Sequence, residues 1–164
     1  MKIAIVSDTH DNVSNFKKAL AFIKKKRIKT IIHCGDICAP ATLKEVLDDF
    51  TGKVHIVFGN VDGDRFRITK ISFESMPQLK IWGESGEILA DKKKIAFTHF
   101  PQFGKGMAAT QDYDLVFYGH THKPWEEKVG RTKLVNPGNL AGLFYRATFA
   151  IYDAKTDKLE LKIL

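Results

Sequence analysis

Cysteine is scarce: Cys34 and Cys38 are the only two in 164 residues. Two cysteines cannot build the disulfide framework that holds many small secreted domains together. Their C-x3-C spacing would suit half of a structural zinc site, but no second Cys/His pair at matching spacing follows. Cys34 is expected to pack as a small buried hydrophobe instead. Long apolar runs are missing too. No stretch approaches the about 20 residues that cross a bilayer as a helix. Met1-Lys2 is followed by only four apolar residues, Ile3 to Val6, before Ser7-Asp8, which is too short for the core of a secretory leader. A cytoplasmic protein with no membrane partner is the expectation. No low-complexity tract, linker or internal repeat interrupts the chain, so residues 1–164 are expected to form one domain.

What is present is ordinary in bulk. Hydrophobic residues make up 44% and charged residues 27%, enough to bury a sizeable core at this length. The net charge of +7 comes largely from Lys24 to Arg27, Lys29 and Lys92 to Lys94. Such runs usually mark solvated helix ends and turns, the preferred reading. They also permit a basic surface that attracts phosphorylated substrates or nucleic acid. No stripe of arginines and aromatics resembles a platform for single strands.

The apolar pattern sets the architecture. "KIAIVSD" (2–8), "KTIIHCGD" (29–36) and "VHIVFGN" (54–60) are short apolar runs ending in polar residues, the mark of buried strands. Between them, Val13, Phe16, Ala19, Leu20 and Ile23 recur at helical spacing, with Asn12 or Ser14 as cap, and a second helix is expected over 41–50 after Pro40. Strand, helix, strand, helix, strand indicates parallel βαβ units. From 79 to 99 strand-like runs alternate with glycine turns, which predicts hairpins and antiparallel strands. A short helix over 104–112, a strand over 115–119, a hairpin turning at Gly130 and a closing hairpin turning near Thr156-Asp157 complete the chain. The whole fits an α+β domain with a pair of mixed sheets flanked by helices.

Polar residues fall repeatedly at strand ends: Asp8 and His10 after the first strand, Asp36 after the second, Asn60 after the third, His99 after "KIAFT", and His120 and His122 after "LVFYG". Ligands of open α/β sheets bind beyond the carboxyl ends of strands. Each residue alone reads as a cap, a turn or a hydrogen-bonded histidine. Together they are all Asp, Asn or His, a donor set suited to divalent metals. Two such cations about 3.5–4 Å apart can clamp a phosphoryl group and lower the pKa of a bound water, so no serine or cysteine nucleophile is needed.

Five blocks carry a resemblance: "DTH" at 8–10, "GD" at 35–36, "GNVD" at 59–62, "TH" at 98–99 and "GHTH" at 119–122. In order and spacing the chain resembles the calcineurin-like metallophosphoesterases. Its length and "NPGN" at 136–139 are similar to their small archaeal and bacterial phosphodiesterases, relatives of the small retromer subunit. The resemblance implies a β-sandwich of two mixed sheets in a four-layer αββα arrangement. It implies two divalent ions, commonly manganese, with iron, zinc, nickel or cobalt in other members. Asp8, His10 and His122 would hold one ion, Asn60, His99 and His120 the other, and Asp36 would bridge them. The implied activity is hydrolysis of a small phosphodiester, with a non-catalytic scaffold of the retromer type or a nuclease as the rival readings. Self-association is left open.

Three departures qualify it. Val61 stands where larger relatives carry a histidine that protonates the leaving group, so low-pKa leaving groups would be favoured. Asp62 or Asp11 could orient a ligand or act as the acid, although a plain turn role is simpler for both. Phe100-Pro101 replaces a glycine and would reshape the pocket wall. Asn139 stands where serine is usual, while Asn136 could support the metal loops through hydrogen bonds. Phe66, Phe73, Trp82 and Phe144 could form an interface, but packing in the core or pocket is the expectation.

Overall fold

The computed structural model describes residues 1–164. Eleven strands and four helices follow in the order β1 (Lys2–Val6), α1 (Val13–Lys25), β2 (Thr30–His33), α2 (Pro40–Leu47), β3 (Lys53–Ile56), α3 (Arg65–Glu74), β4 (Leu79–Ile81), β5 (Ser85–Ala90), β6 (Lys93–Thr98), α4 (Pro101–Ala109), β7 (Leu115–Phe117), β8 (Trp125–Val129), β9 (Thr132–Asn136), β10 (Thr148–Asp153) and β11 (Lys158–Ile163). One sheet has the order β11-β10-β1-β2-β3-β4 and the other β5-β6-β7-β9-β8. Both are mixed: β1, β2, β3 and β4 run parallel, as do β6, β7 and β9, while β10 pairs antiparallel with β1 and the hairpins β5–β6, β8–β9 and β10–β11 supply the other antiparallel pairs.

The two-residue period of the strands sorts the core into three apolar layers. In β1, Ile3 and Ile5 point between the sheets, where they meet Phe97, Phe117, Val135 and Tyr152. Ala4 and Val6 point the other way, onto Phe16, Leu20 and Ile23 of α1 and Leu43 and Leu47 of α2. On the far face, Ala96, Val116 and Leu134 pack against Ala108 of α4. Helices, sheet, sheet and helix make the αββα arrangement that the resemblance implies. Each large side chain in these layers contributes about 1.5–3 kcal/mol by leaving water. Because every layer is anchored on the strands, their carboxyl ends are fixed platforms for the loops beyond them.

Several expectations hold. Asn12 caps α1, its side chain accepting from Asn15 N at 3.0 Å. Cys34 is fully buried, and neither cysteine is in a disulfide. Lys24 to Arg27, Lys29, Lys92 and Lys94 are exposed, as solvated helix ends and turns should be. Others need correction. α3 was not expected: only Ile68 and Ile71 of its ten residues are buried, so the apolar period is too sparse to read, and Asp64 starts it by accepting from Arg67 N. β4 is not part of an antiparallel hairpin; it joins the first sheet parallel to β3. α4 begins at Pro101, whose missing N–H costs nothing at a first helical turn. Phe66, Phe73 and Phe144 are not packed away but are 79%, 83% and 90% exposed; Trp82 alone packs, edge-on against Phe97.

Candidate metal centre

All seven residues at the strand ends converge on one side of the paired sheets. Asp8 follows β1, Asp36 follows β2, Asn60 follows β3, His99 follows β6, and His120 and His122 follow β7. Their backbones are unusual. Asp8 (φ 51°), His10 (42°), Asp36 (59°), His120 (70°) and His122 (60°) all occupy the left-handed region. Non-glycine residues rarely go there, and such strain concentrates where function demands a particular aim. Five of seven in one cluster is hard to reconcile with ordinary turns.

The donor atoms form two groups. In the first, His10 Nε2 lies 3.1 Å from His122 Nε2. Asp8 Oδ1 is 3.4 Å from His122 Nε2 and 3.9 Å from His10 Nε2. In the second, Asn60 Oδ1 is 3.0 Å from His99 Nε2 and 2.8 Å from His120 Nδ1, and those two nitrogens are 3.3 Å apart. Asp36 Oδ2 stands between the groups, 3.6 Å from His10 Nε2 and 3.4 Å from His99 Nε2. Metal–ligand bonds of about 2.1 Å place neighbouring ligands roughly 3.0–3.5 Å apart, so these separations are the edges of coordination shells. The donors of Asp8, His10 and His122, and those of Asp8, Asp36 and His99, each fall within 4.8 Å of one another. Asp8 therefore lies close to both groups, more central than a purely terminal ligand.

Supporting contacts hold Asp8, His99 and Asp36 in place. Asp8 Oδ2 accepts from Ser7 Oγ at 2.5 Å, and both Asp8 oxygens face the His120 N–H at 3.1 Å. The Cys34 carbonyl, 2.7 Å from His99 Nδ1, can only accept, so Nδ1 carries the proton and Nε2 turns its lone pair to the centre. Asp36 Oδ1 accepts from Val61 N at 3.0 Å, which leaves Oδ2 free to face both groups. Gly59 is needed for this approach: a Cβ there would collide with Asp36 Oδ1. Gly119 likewise permits close approach rather than a positive φ, since a Cβ would run into Ser7 Oγ and lie 2.7 Å from Asp8 Oδ2.

Asp62 is no plain turn residue. It is buried, and its carboxylate accepts from four backbone N–H groups: Ile37 (2.7 Å) and Cys38 (3.0 Å) on Oδ1, Asp36 (3.1 Å) and Gly59 (2.7 Å) on Oδ2. It ties the Asp36 loop to the Asn60 loop. Asp11 accepts from Ala39 N and Thr42 Oγ1 and so holds the start of α2, away from the donors. Asn136 donates to Gly119 O and Thr121 Oγ1, bracing the loop that carries both histidines. Four supporting residues were missed: Ser7, Thr9, His33 and Asn139. Asn139 donates to His122 O and accepts from Gly142 and Leu143 N–H groups. His33 is buried, accepts from Gly35 N, and faces Thr9 Oγ1 at 3.3 Å. Burial pushes it down to about 4, so it is neutral scaffolding. The unbroken buried strand ending in His33 was the only signal for it.

The electrostatics suit cations. Burial alone would raise the Asp36 carboxyl, yet His99, the Val61 N–H and His10 hold it below the usual range. Burial opposes charge on His99, but Asp36 and Asp8 outweigh it and raise its pKa. The hydrogen bond to Asp8 raises His122 against its own burial. Its Nδ1 is buried without a partner in hydrogen-bonding geometry. Buried carboxylates that pull protons onto imidazoles are equally able to hold divalent ions there, so the residues fit a metal pair. A cavity of about 670 Å³ between α2 and α3 contains none of these donors. The centre is instead an open bowl, with Asn60 and His120 exposed.

This arrangement, mixed sheets presenting oxygen and imidazole donors from five strand ends, defines a metal-dependent phosphoesterase architecture. The chain belongs to the calcineurin-like phosphoesterase superfamily, whose domain matches residues 1–157. It is 33% identical over 144 residues to phosphodiesterase MJ0936 of Methanocaldococcus jannaschii, covering 87% of this chain and 86% of that one. A solved archaeal phosphodiesterase superposes with a TM-score of 0.91 at 30% identity, over 100% of both chains. Vps29 of Entamoeba histolytica, crystallised with zinc, shares the fold at a TM-score of 0.69 and 17% identity, over 100% of this chain and 98% of that one.

Proposed function

We propose that the chain is one catalytic domain that hydrolyses small phosphodiesters with two divalent ions. Asp8, His10 and His122 would hold one ion, Asn60, His99 and His120 would hold the other, and Asp36 would serve both. The observation that carries this reading is Asp36 Oδ2 lying 3.4 and 3.6 Å from an imidazole of each group. The mixed oxygen and imidazole donors suit manganese, with iron, zinc, nickel and cobalt as alternatives. A bound pair would supply Lewis acidity toward the phosphoryl oxygens and a water nucleophile near neutral pH. The chain's own residues do the rest. Asp8 and Asp36, buried and braced by N–H groups and Ser7, are held in position without reorganising. The His99 proton on Nδ1 keeps Nε2 aimed inward. The exposed rims of Asn60 and His120 leave room for an ester to approach. Val61 offers no proton to the leaving group; it contributes its backbone N–H to Asp36 while its side chain is half exposed. Esters of acidic alcohols are therefore the favoured substrates. The scarcity of cysteine supports a reducing, cytoplasmic setting.

The test uses protein loaded with manganese and bis(p-nitrophenyl) phosphate. Turnover is expected, and Asp36→Ala is expected to lower it at least about a hundredfold, because one change disturbs both ion sites. A fully loaded, folded protein that cleaves no activated diester overturns the proposal and favours a scaffold.

A further inference from the structure

Phe144 sits on the segment between β9 and β10 and is 90% exposed, the most exposed of the large apolar residues. Its backbone is left-handed, φ 65°, where a bulky side chain is disfavoured. A phenyl ring held in water on a strained backbone gains nothing from the core. The segment beneath it is nevertheless firmly tied to the centre. Leu140 N donates to Ser7 O, Ala141 N donates to Asp8 O, and Asn139 joins Gly142 and Leu143 to the His122 backbone. The ring lies 5.7 Å from the His122 imidazole, tilted by 54°. Across the centre, Phe100 lies 5.0 Å from His99 and 5.2 Å from His120, with the half-exposed Phe103 behind it at 5.8 Å. Each donor group thus has an aromatic lip of its own.

A phosphodiester has two organic arms leaving one phosphorus. With the phosphoryl group at the donors, one arm passes the His122 side and the other the His99 and His120 side. We infer that Phe144 is a specificity-determining residue that stacks a planar ring on one ester arm, so that the substrates are diesters bearing a nucleobase or comparable aromatic group, with Phe100 and Phe103 walling the other arm. A ring face tolerates any base, which predicts a preference for planar arms without strong base selectivity. This inference rests on the phosphodiesterase reading above.

The experiment compares thymidine 5′-p-nitrophenyl phosphate with methyl p-nitrophenyl phosphate on the manganese-loaded full chain. The two share a leaving group and differ in the other arm, a nucleoside with its planar base in one and a methyl group in the other. Phe144→Ala is expected to lower the ratio of kcat/KM, thymidine ester over methyl ester, about tenfold, chiefly through KM, and Phe144→Trp is expected to restore it. Calorimetric binding of thymidine 5′-monophosphate should weaken by a similar factor in Phe144→Ala. Equal losses on both esters, or an unchanged ratio, would show a merely structural role and overturn the inference. If the wild-type protein cleaves neither ester, the phosphodiesterase reading fails. Nucleotide binding then decides the stacking role separately, and equal affinity in Phe144→Ala overturns it.

Discussion

Removing the Asp62 carboxylate should damage the centre without touching a donor atom. Asp62 accepts four backbone N–H groups, two per oxygen, from the loops that carry Asp36 and Asn60. A hydrogen bond to a charged group contributes about 1.5–3 kcal/mol, and unpaired buried donors cost about as much. The four share one acceptor and are not additive, so a net loss of roughly 3–5 kcal/mol is reasonable for a broken buried network. For a chain of this size that corresponds to a fall in Tm of roughly 10 °C or somewhat more. Asp62→Asn is instructive as well. Its amide oxygen can serve one pair of N–H groups, but its NH2 then faces the other pair, so shape is kept and satisfaction is not. Both variants should lose about 10- to 100-fold in manganese affinity, since the loops that aim Asp36 and Asn60 come apart. Thermal unfolding by circular dichroism and titration calorimetry with Mn2+ measure the two effects. A Tm within about 2 °C of wild type together with unchanged affinity would refute the reasoning.

Other consequences follow from the same geometry. Gly59→Ala puts a methyl group into Asp36 Oδ1 and should displace the bridging carboxylate, cutting manganese affinity by at least about tenfold in calorimetry. His99 and His122 have pKa values raised above the ordinary 6.5 in the metal-free protein. Cations must displace those protons, so affinity should be full at alkaline pH and fall as pH drops, starting above 6.5, by up to about a hundredfold per unit; a flat profile across pH 5–8 would contradict this. Because Val61 cannot donate a proton, rates should fall steeply as the leaving group becomes more basic, and Val61→His should flatten that slope in a series of substituted aryl diesters.

The candidate metal donors were legible because the chemistry needs them at strand ends, and buried strands such as "KIAIV" announce their own ends. The layered fold followed from the same runs and from the turns at Gly130 and Thr156-Asp157. What could not be read depended on contacts between distant segments. Asp62 looked like a loop residue because three of its four N–H partners, Asp36, Ile37 and Cys38, come from another stretch of chain. His33 closes an apolar run and gives no hint that it supports Thr9. α3 buries only Ile68 and Ile71, too few for a helical stripe. β4 looked like a hairpin arm because three residues carry no sign of which sheet they will join. The aromatic lip was misjudged for a different reason: a phenylalanine is expected inside, and only the fold reveals Phe144 standing in solvent beside His122.

The central claim is that Asp36 joins two cation sites built from the ends of five strands. An anomalous difference map from manganese-soaked crystals tests it most directly. Two peaks about 3.5–4 Å apart, with Asp36 Oδ2 between them, are predicted. A single peak, or a pair that Asp36 does not join, would contradict the account.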